Sequence, residues 1–181
     1  MRGLRKYLTP FAPDQSGAVS VLYELGGIIV ICDAGGCTGN VCGFDEPRWF
    51  ERKSAVFSAG LRDMDAILGR DDRLVAKLVD TAEKVEAGFA AIIGTPVPAV
   101  IGTDYQALKR MCEKRTELPV LTVDTDGMEL YDVGERKAYV ELFKAFAREK
   151  LPVETGKIGI LGMTPQDVSD PGAADKIREK F

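Results

Sequence analysis

The residues best suited to chemistry in this chain are cysteines, and three of its four lie close together. Cys32, Cys37 and Cys42 follow a C-x4-C-x4-C spacing within residues 28–49, IIVICDAGGCTGNVCGFDEPRW. An apolar run, residues 28–31, reads as a short buried strand. It breaks at Cys32-Asp33 into a loop that holds Gly35, Gly36, Gly39 and Gly43. Thiolates bind soft metals and iron–sulfur clusters. Glycines let a backbone approach a bulky ligand closely. The carboxyl end of a strand is where open α/β sheets place ligands. The spacing matches none of the common zinc or ferredoxin patterns. Cys32, at the end of the strand, reads equally well as core, because cysteine often behaves as a small hydrophobe. Cys37 and Cys42 have little around them to pack against and read as ligands or redox groups. Cys112 falls at a helical spacing from Leu108 and reads as core.

Composition removes several classes of function. The chain has 181 residues and no histidine. This excludes Ser-His-Asp and Cys-His catalysis and histidine-ligated zinc. A metal would have to use Cys, Asp, Glu or backbone groups. The net charge of −4 gives no basis for general binding to nucleic acid or to a membrane surface. The basic start of the chain is followed by Pro10 and Pro13 instead of an apolar signal core, and no run reaches transmembrane length. Cysteines without secretory features fit a reducing cytoplasm.

The elements that must position the thiols alternate. Strands are expected at residues 28–32, 54–58, 89–93, 119–123 and 157–163. Helices are expected at about 17–25, 61–68, from 71 onward with Leu74, Val75, Leu78 and Val79 on one face, at about 98–114, at 134–150 and from about 172. In the helix over 134–150, Tyr139, Val140, Leu142, Phe143 and Phe146 are expected to face inward. Residues 1–15 read as irregular, with Tyr7, Leu8 and Phe11 docked on the surface. The alternation predicts an α/β fold with a mostly parallel, Rossmann-like sheet flanked by helices. Residues 1–152 form an N-terminal α/β domain with the cysteine loop. Residues 153–181 read as the truncated start of a second α/β domain.

Other candidates have plainer readings. Asp126-Gly127 suits a turn better than a cation site. Trp49 reads as a packing anchor and Arg48 as a surface ion pair. Residues 94–102 could cradle a phosphate. No G-x4-G-K-[ST] motif exists, so the chain is not itself an ATPase.

Several segments in order carry a family likeness. They are Gly17-Ala18, Gly36-Cys37 five residues after the strand, FSAGLRDMDAILG from Phe57, TPVPAVIGTD from Thr95, PVLTVDTDG from Pro119 and KIGILG from Lys157. Together they resemble the nitrogenase component 1 superfamily: the nitrogenase molybdenum–iron protein subunits, their cofactor-assembly paralogues and dark-operative protochlorophyllide reductase. The resemblance implies several α/β domains per subunit and paired subunits, either as a homo-oligomer or with a paralogous subunit. It implies an iron–sulfur cluster, of the 4Fe-4S kind, near the subunit interface. It also implies a separate ATP-hydrolysing iron protein as electron donor. Cys37 matches the family's Gly-Cys cluster ligand. Gly36, Thr38 and Gly39 are the residues expected to line the cofactor. Pro13 and Asp14 stand where relatives place a first cysteine, and Thr95-Pro96 where they place another. Cys32 falls where relatives often have histidine, and Cys42 is extra. Two ligand sets remain open: Cys32, Cys37 and Cys42 together, or Cys37 from each of two subunits completed by Cys42 or the Asp14 carboxylate. The functions implied are a nitrogenase-like oxidoreductase component, a scaffold or carrier for metallocluster assembly, or a non-redox small-molecule binding module on the same fold.

Overall fold

The structure is a computed structural model and describes residues 12–52, 54–69, 71–147, 152, 156, 158–168 and 173–180. Tyr7, Leu8 and Phe11, expected on the surface, lie outside the described residues. So does Gly172, near which the last helix was expected to begin.

Four parallel strands form the sheet, β1 (Gly27–Ile31), β2 (Ala55–Ser58), β3 (Phe89–Ile93) and β4 (Val120–Val123), in the order β2-β1-β3-β4. β1 lies in the middle, with Ile29 opposite Val56 of β2 and Ala91 of β3. β1, β3 and β4 are buried along their whole length. Parallel strands covered on both faces favour such unbroken apolar runs over alternation. This bears out the α/β expectation.

Helices cover both faces. One layer is α1 (Asp14–Leu22) and α7 (Tyr131–Phe146), packed on Ile29, Ile31, Ala91, Ile93, Leu121 and Val123. The other is α4 (Asp71–Ala82) and α6 (Tyr105–Thr116), packed on Ile28, Val30, Ala90, Ile92 and Val120. Period two along each strand sends successive side chains into opposite layers. The other α-helices among the described residues are α2 (Gly36–Asn40), α3 (Asp63–Leu68), α5 (Pro96–Ile101) and α8 (Ala173–Arg178).

Three expectations need correction. The helix read over 98–114 is two helices. Gly102 ends α5 in the left-handed conformation at φ 70°, and the Asp104 carboxylate caps α6 by accepting from the Ala107 N–H. The apolar periodicity runs through the break, but the Gly-x-Asp stop and start does not. Next, α7 begins at Tyr131, and its large apolar side chains do not all face in: Val140, Phe143 and Phe146 are 44%, 45% and 47% exposed. Its buried residues are Gly134, Glu135 and Ala138, and the small ones, Gly134 and Ala138, let α1 cross it closely. Finally, the described residues of 158–163 are not strand, and Ile158, Ile160 and Leu161 stay exposed. Strand propensity is realised only against a pairing partner.

The α1–α7 contact depends on two glycines. A Cβ on Gly17 would collide with the carbonyl oxygen of Tyr131, and one on Gly134 with the carbonyl oxygen of Asp14. Asp14 itself is fully buried. Its carboxylate accepts from the N–H groups of Asp126 at 3.1 Å and Gly127 at 2.8 Å, and the Lys137 ammonium stands 3.6 Å away. It thus clasps the start of α1, the loop after β4 and α7 together. Gly134→Ala should lower unfolding free energy by about 2 kcal/mol or more through overpacking. Asp14→Ala should cost about 2–3 kcal/mol by leaving backbone donors unpaired. Urea unfolding midpoints for both variants test this, and a shift under about 0.5 kcal/mol in either would contradict the clasp.

Candidate functional site: the cysteine-bearing segment

Sheet order reverses direction about β1 and β3, so the crevice at their carboxyl ends is the switch point where doubly wound sheets bind ligands. The cysteine-bearing segment leaves β1 at this crevice. Its shape is set by Asp33, which is 2% exposed. One carboxylate oxygen accepts from the Thr38 N–H at 2.7 Å; the other accepts from the Thr38 hydroxyl at 3.0 Å and the Ser58 hydroxyl at 2.6 Å. The chain turns at Gly35, φ 115°, and enters α2 with Cys37 as its second residue. The segment expected to be a loop is therefore helical, and α2 widens into a π-helical turn over Val41–Asp45. Such turns concentrate at functional sites. Asp45 anchors the turn by accepting from the Ser16 hydroxyl and the Asn40 amide.

The four cysteines fall into different environments. Cys32 is 2% exposed and packs in the α4/α6 layer, while Cys37 is half-buried against the α1/α7 layer. They therefore lie on opposite faces of the sheet. Burial, with Asp71 and Asp33 nearby, pushes the Cys32 thiol up to about 12. Burial also raises Cys37, helped by Asp33 and opposed by a hydrogen bond with Thr95. Cys42 is half-buried and raised by burial, then by Glu46 and Asp33. Cys112 is core, its thiol raised to about 11 by burial. Among the described residues, no three Cys, Asp or Glu side chains converge as a metal-binding group. One chain does not assemble the local Cys32/Cys37/Cys42 set, and Asp14 is engaged inside the fold.

What does converge is the neighbourhood of Cys37. Thr95 stands near enough to Cys37 to lower its thiol against the effect of burial, and its hydroxyl donates to the Cys32 carbonyl at 2.8 Å. A Cβ on Gly127 would meet both the Pro96 ring and the Gln15 side-chain oxygen, so both lie against Gly127. The Gln15 oxygen is buried without a partner. Gly36 and Gly39 have no other atom within 4 Å of where a Cβ would be, as have Gly35 and Gly43, so this ledge is open. Thr38 faces Asp33. Phe44 and Phe50 are 80% and 75% exposed on the same segment. Trp49 is partly exposed, and Arg48 forms a largely buried bidentate pair with Glu46 at 2.7 Å while lying over the Tyr23 ring. Asp33 and Asp45 were not singled out from the sequence. The available signal for Asp33 was an Asp just after a strand with Thr five residues on, a helix-entry pattern.

These features define an α/β protein with a thiol at the switch point of its sheet. The chain belongs to the nitrogenase component 1 type oxidoreductase family, whose model matches residues 15–181. A solved structure of nitrogenase Cp1 at pH 6.5 is similar with a TM-score of 0.76 and 17% identity, over 99% of this chain and 37% of that one. Another, of nitrogenase Cp1 at pH 5, gives a TM-score of 0.61 at 17% identity, over 76% of this chain and 30% of that one. The chain thus spans about a third of the length of these structures. No curated protein matches it. Among the described residues no helix is long and apolar enough to cross a membrane.

The environments predict an order of reactivity. Cys37 and Cys42 should react with an aromatic disulfide reagent in the native state, and Cys32 and Cys112 only on unfolding. Because both open thiols are raised, their rates should climb above the ordinary thiol range instead of levelling near neutrality. Asp33→Asn removes a negative charge and should speed both at about pH 8 by roughly three- to tenfold. An unchanged pH–rate profile would show that burial alone sets them.

Proposed function

We propose that this chain is the N-terminal part of a nitrogenase-like oxidoreductase component in the cytoplasm, carrying an iron–sulfur cluster shared between two subunits. The observation that carries the reading is Cys37, the one thiol both half-open and seated at the switch point. Among the described residues, the donor set of a single chain does not fit a four-ligand cluster. Two copies, each offering Cys37 and Cys42, supply four thiols, the number a [4Fe–4S] cluster takes. Cys32 is reserved for the core, and Asp14 for the clasp. The cluster, when bound, supplies one-electron transfer. The chain's own part is to hold Cys37 at the start of α2 through Asp33, to leave the Gly36, Thr38 and Gly39 ledge open, and to present Phe44 and Phe50 to a partner. That partner is the second subunit. An ATP-hydrolysing iron protein is the electron donor, since the chain lacks a P-loop.

A second reading is a scaffold or carrier that holds a cluster transiently. It is favoured by Pro13 and Pro96 at positions where relatives carry cysteine, which leaves fewer thiols to retain a cluster.

The test uses the protein expressed from its complete gene and purified anaerobically. About four irons and four sulfides per two chains are expected. Cys37→Ala or Cys42→Ala should abolish them, and Cys32→Ala should leave them. No iron after anaerobic reconstitution would sink the cluster reading. Rapid transfer of the cluster to an apo-ferredoxin would select the carrier over the redox component.

A further inference from the structure

Segment 158–168 is held to the first domain by polar contacts. The Thr164 and Tyr131 hydroxyls are 2.7 Å apart, the Gln166 amide donates to the Asp45 carbonyl at 3.0 Å, and the Gly162 N–H donates to the Tyr139 hydroxyl at 3.1 Å. The apolar Ile158, Ile160 and Leu161 contribute little, being exposed. At the centre of this contact is an anomaly. Glu135 on α7 is 8% exposed, and its Oε1 atom is buried without a hydrogen-bond partner. The group facing it is the carboxyl of Asp167, which also accepts from the Thr164 hydroxyl at 2.8 Å. Two carboxylates cannot satisfy each other without a proton between them.

We propose that Glu135 and Asp167 share one proton, and that this proton fastens segment 158–168 to the first domain as a pH-sensitive latch. Among the described residues, the groups around Glu135 leave no other neutraliser. From α7 come Asp132 and Tyr131, and from the docked segment Thr164 and Asp167. On the adjoining segment, Glu46 is paired with Arg48, and Asp45 is held by Ser16 and Asn40. On the α1 side, Asp14 holds Lys137, and Arg136 opens on a groove beside Thr103 and Glu141. Burial, followed by Asp167, raises Glu135 from the ordinary carboxylate range to about 7. A raised acid favours the docked state while it is protonated, so docking is strong below the free carboxylate's range and weakens as pH rises through about 7. The latch reaches the cysteine-bearing segment through Gln166, which holds Asp45 at the end of the π turn.

Hydrogen exchange of the full chain tests this, corrected for intrinsic rates. Protection over 158–168 should fall by about tenfold between about pH 5.5 and pH 8, while β4 amides stay constant. Glu135→Gln puts a permanent donor against Asp167 and should make protection independent of pH. Asp167→Asn does the same from the other side, and serves if the first variant fails to fold. A pH dependence that persists in these variants overturns the proposal. Protection restored at high pH by millimolar magnesium or calcium alone also overturns it, since a bridging cation would then replace the proton.

Discussion

Close contact between α1 and α7 is the constraint on which the rest of this structure depends. Two backbone segments meet where neither Gly17 nor Gly134 can carry a Cβ, and the buried Asp14 carboxylate ties their ends to the loop after β4. A carboxylate this deep is tolerable only because backbone donors and Lys137 face it. Its bonds also hold Gly127 in place against Pro96 and the Gln15 side chain. The architecture of the site is thus a consequence of helix packing on one face of the sheet.

The cysteine-bearing segment is organised by a second buried carboxylate. Asp33 binds Thr38 and Ser58, joining the exits of β1 and β2 and setting where α2 starts. It does this at an electrostatic cost to the thiols, since its charge raises Cys32, Cys37 and Cys42 alike. A soft metal would reverse that balance, because a cation bound at the thiolates would be stabilised by the same charge. The open glycines around Cys37 and the exposed Phe44 and Phe50 form the outer side of this segment, and its polar anchors lie behind it.

The apolar runs and their alternation with amphipathic stretches made the parallel α/β sheet readable, because strands buried on both faces must be continuously apolar and covering helices must have one apolar face. The ordered short motifs made the family readable. Element boundaries were less so: periodicity ran through the Gly102 break, and the glycine-rich segment read as loop where Asp33 and the π turn make it helical.

The sequence by itself determined which residues can be soft ligands, that histidine is absent from this chain, and that the cysteines follow the carboxyl end of a strand. Only the tertiary structure decided which of those ligands stand together. Cys32 and Cys37 are only five residues apart, yet Cys32 packs into the α4/α6 layer at the exit of β1 while α2 carries Cys37 to the α1/α7 layer. Asp14 looked available until its oxygens met the loop after β4, more than a hundred residues away in the chain. Glu135, a charged residue on an amphipathic helix, is 8% exposed in the folded chain. In each case the physical reason is the same. Burial and partner choice depend on contacts distant in sequence, and no local pattern encodes them.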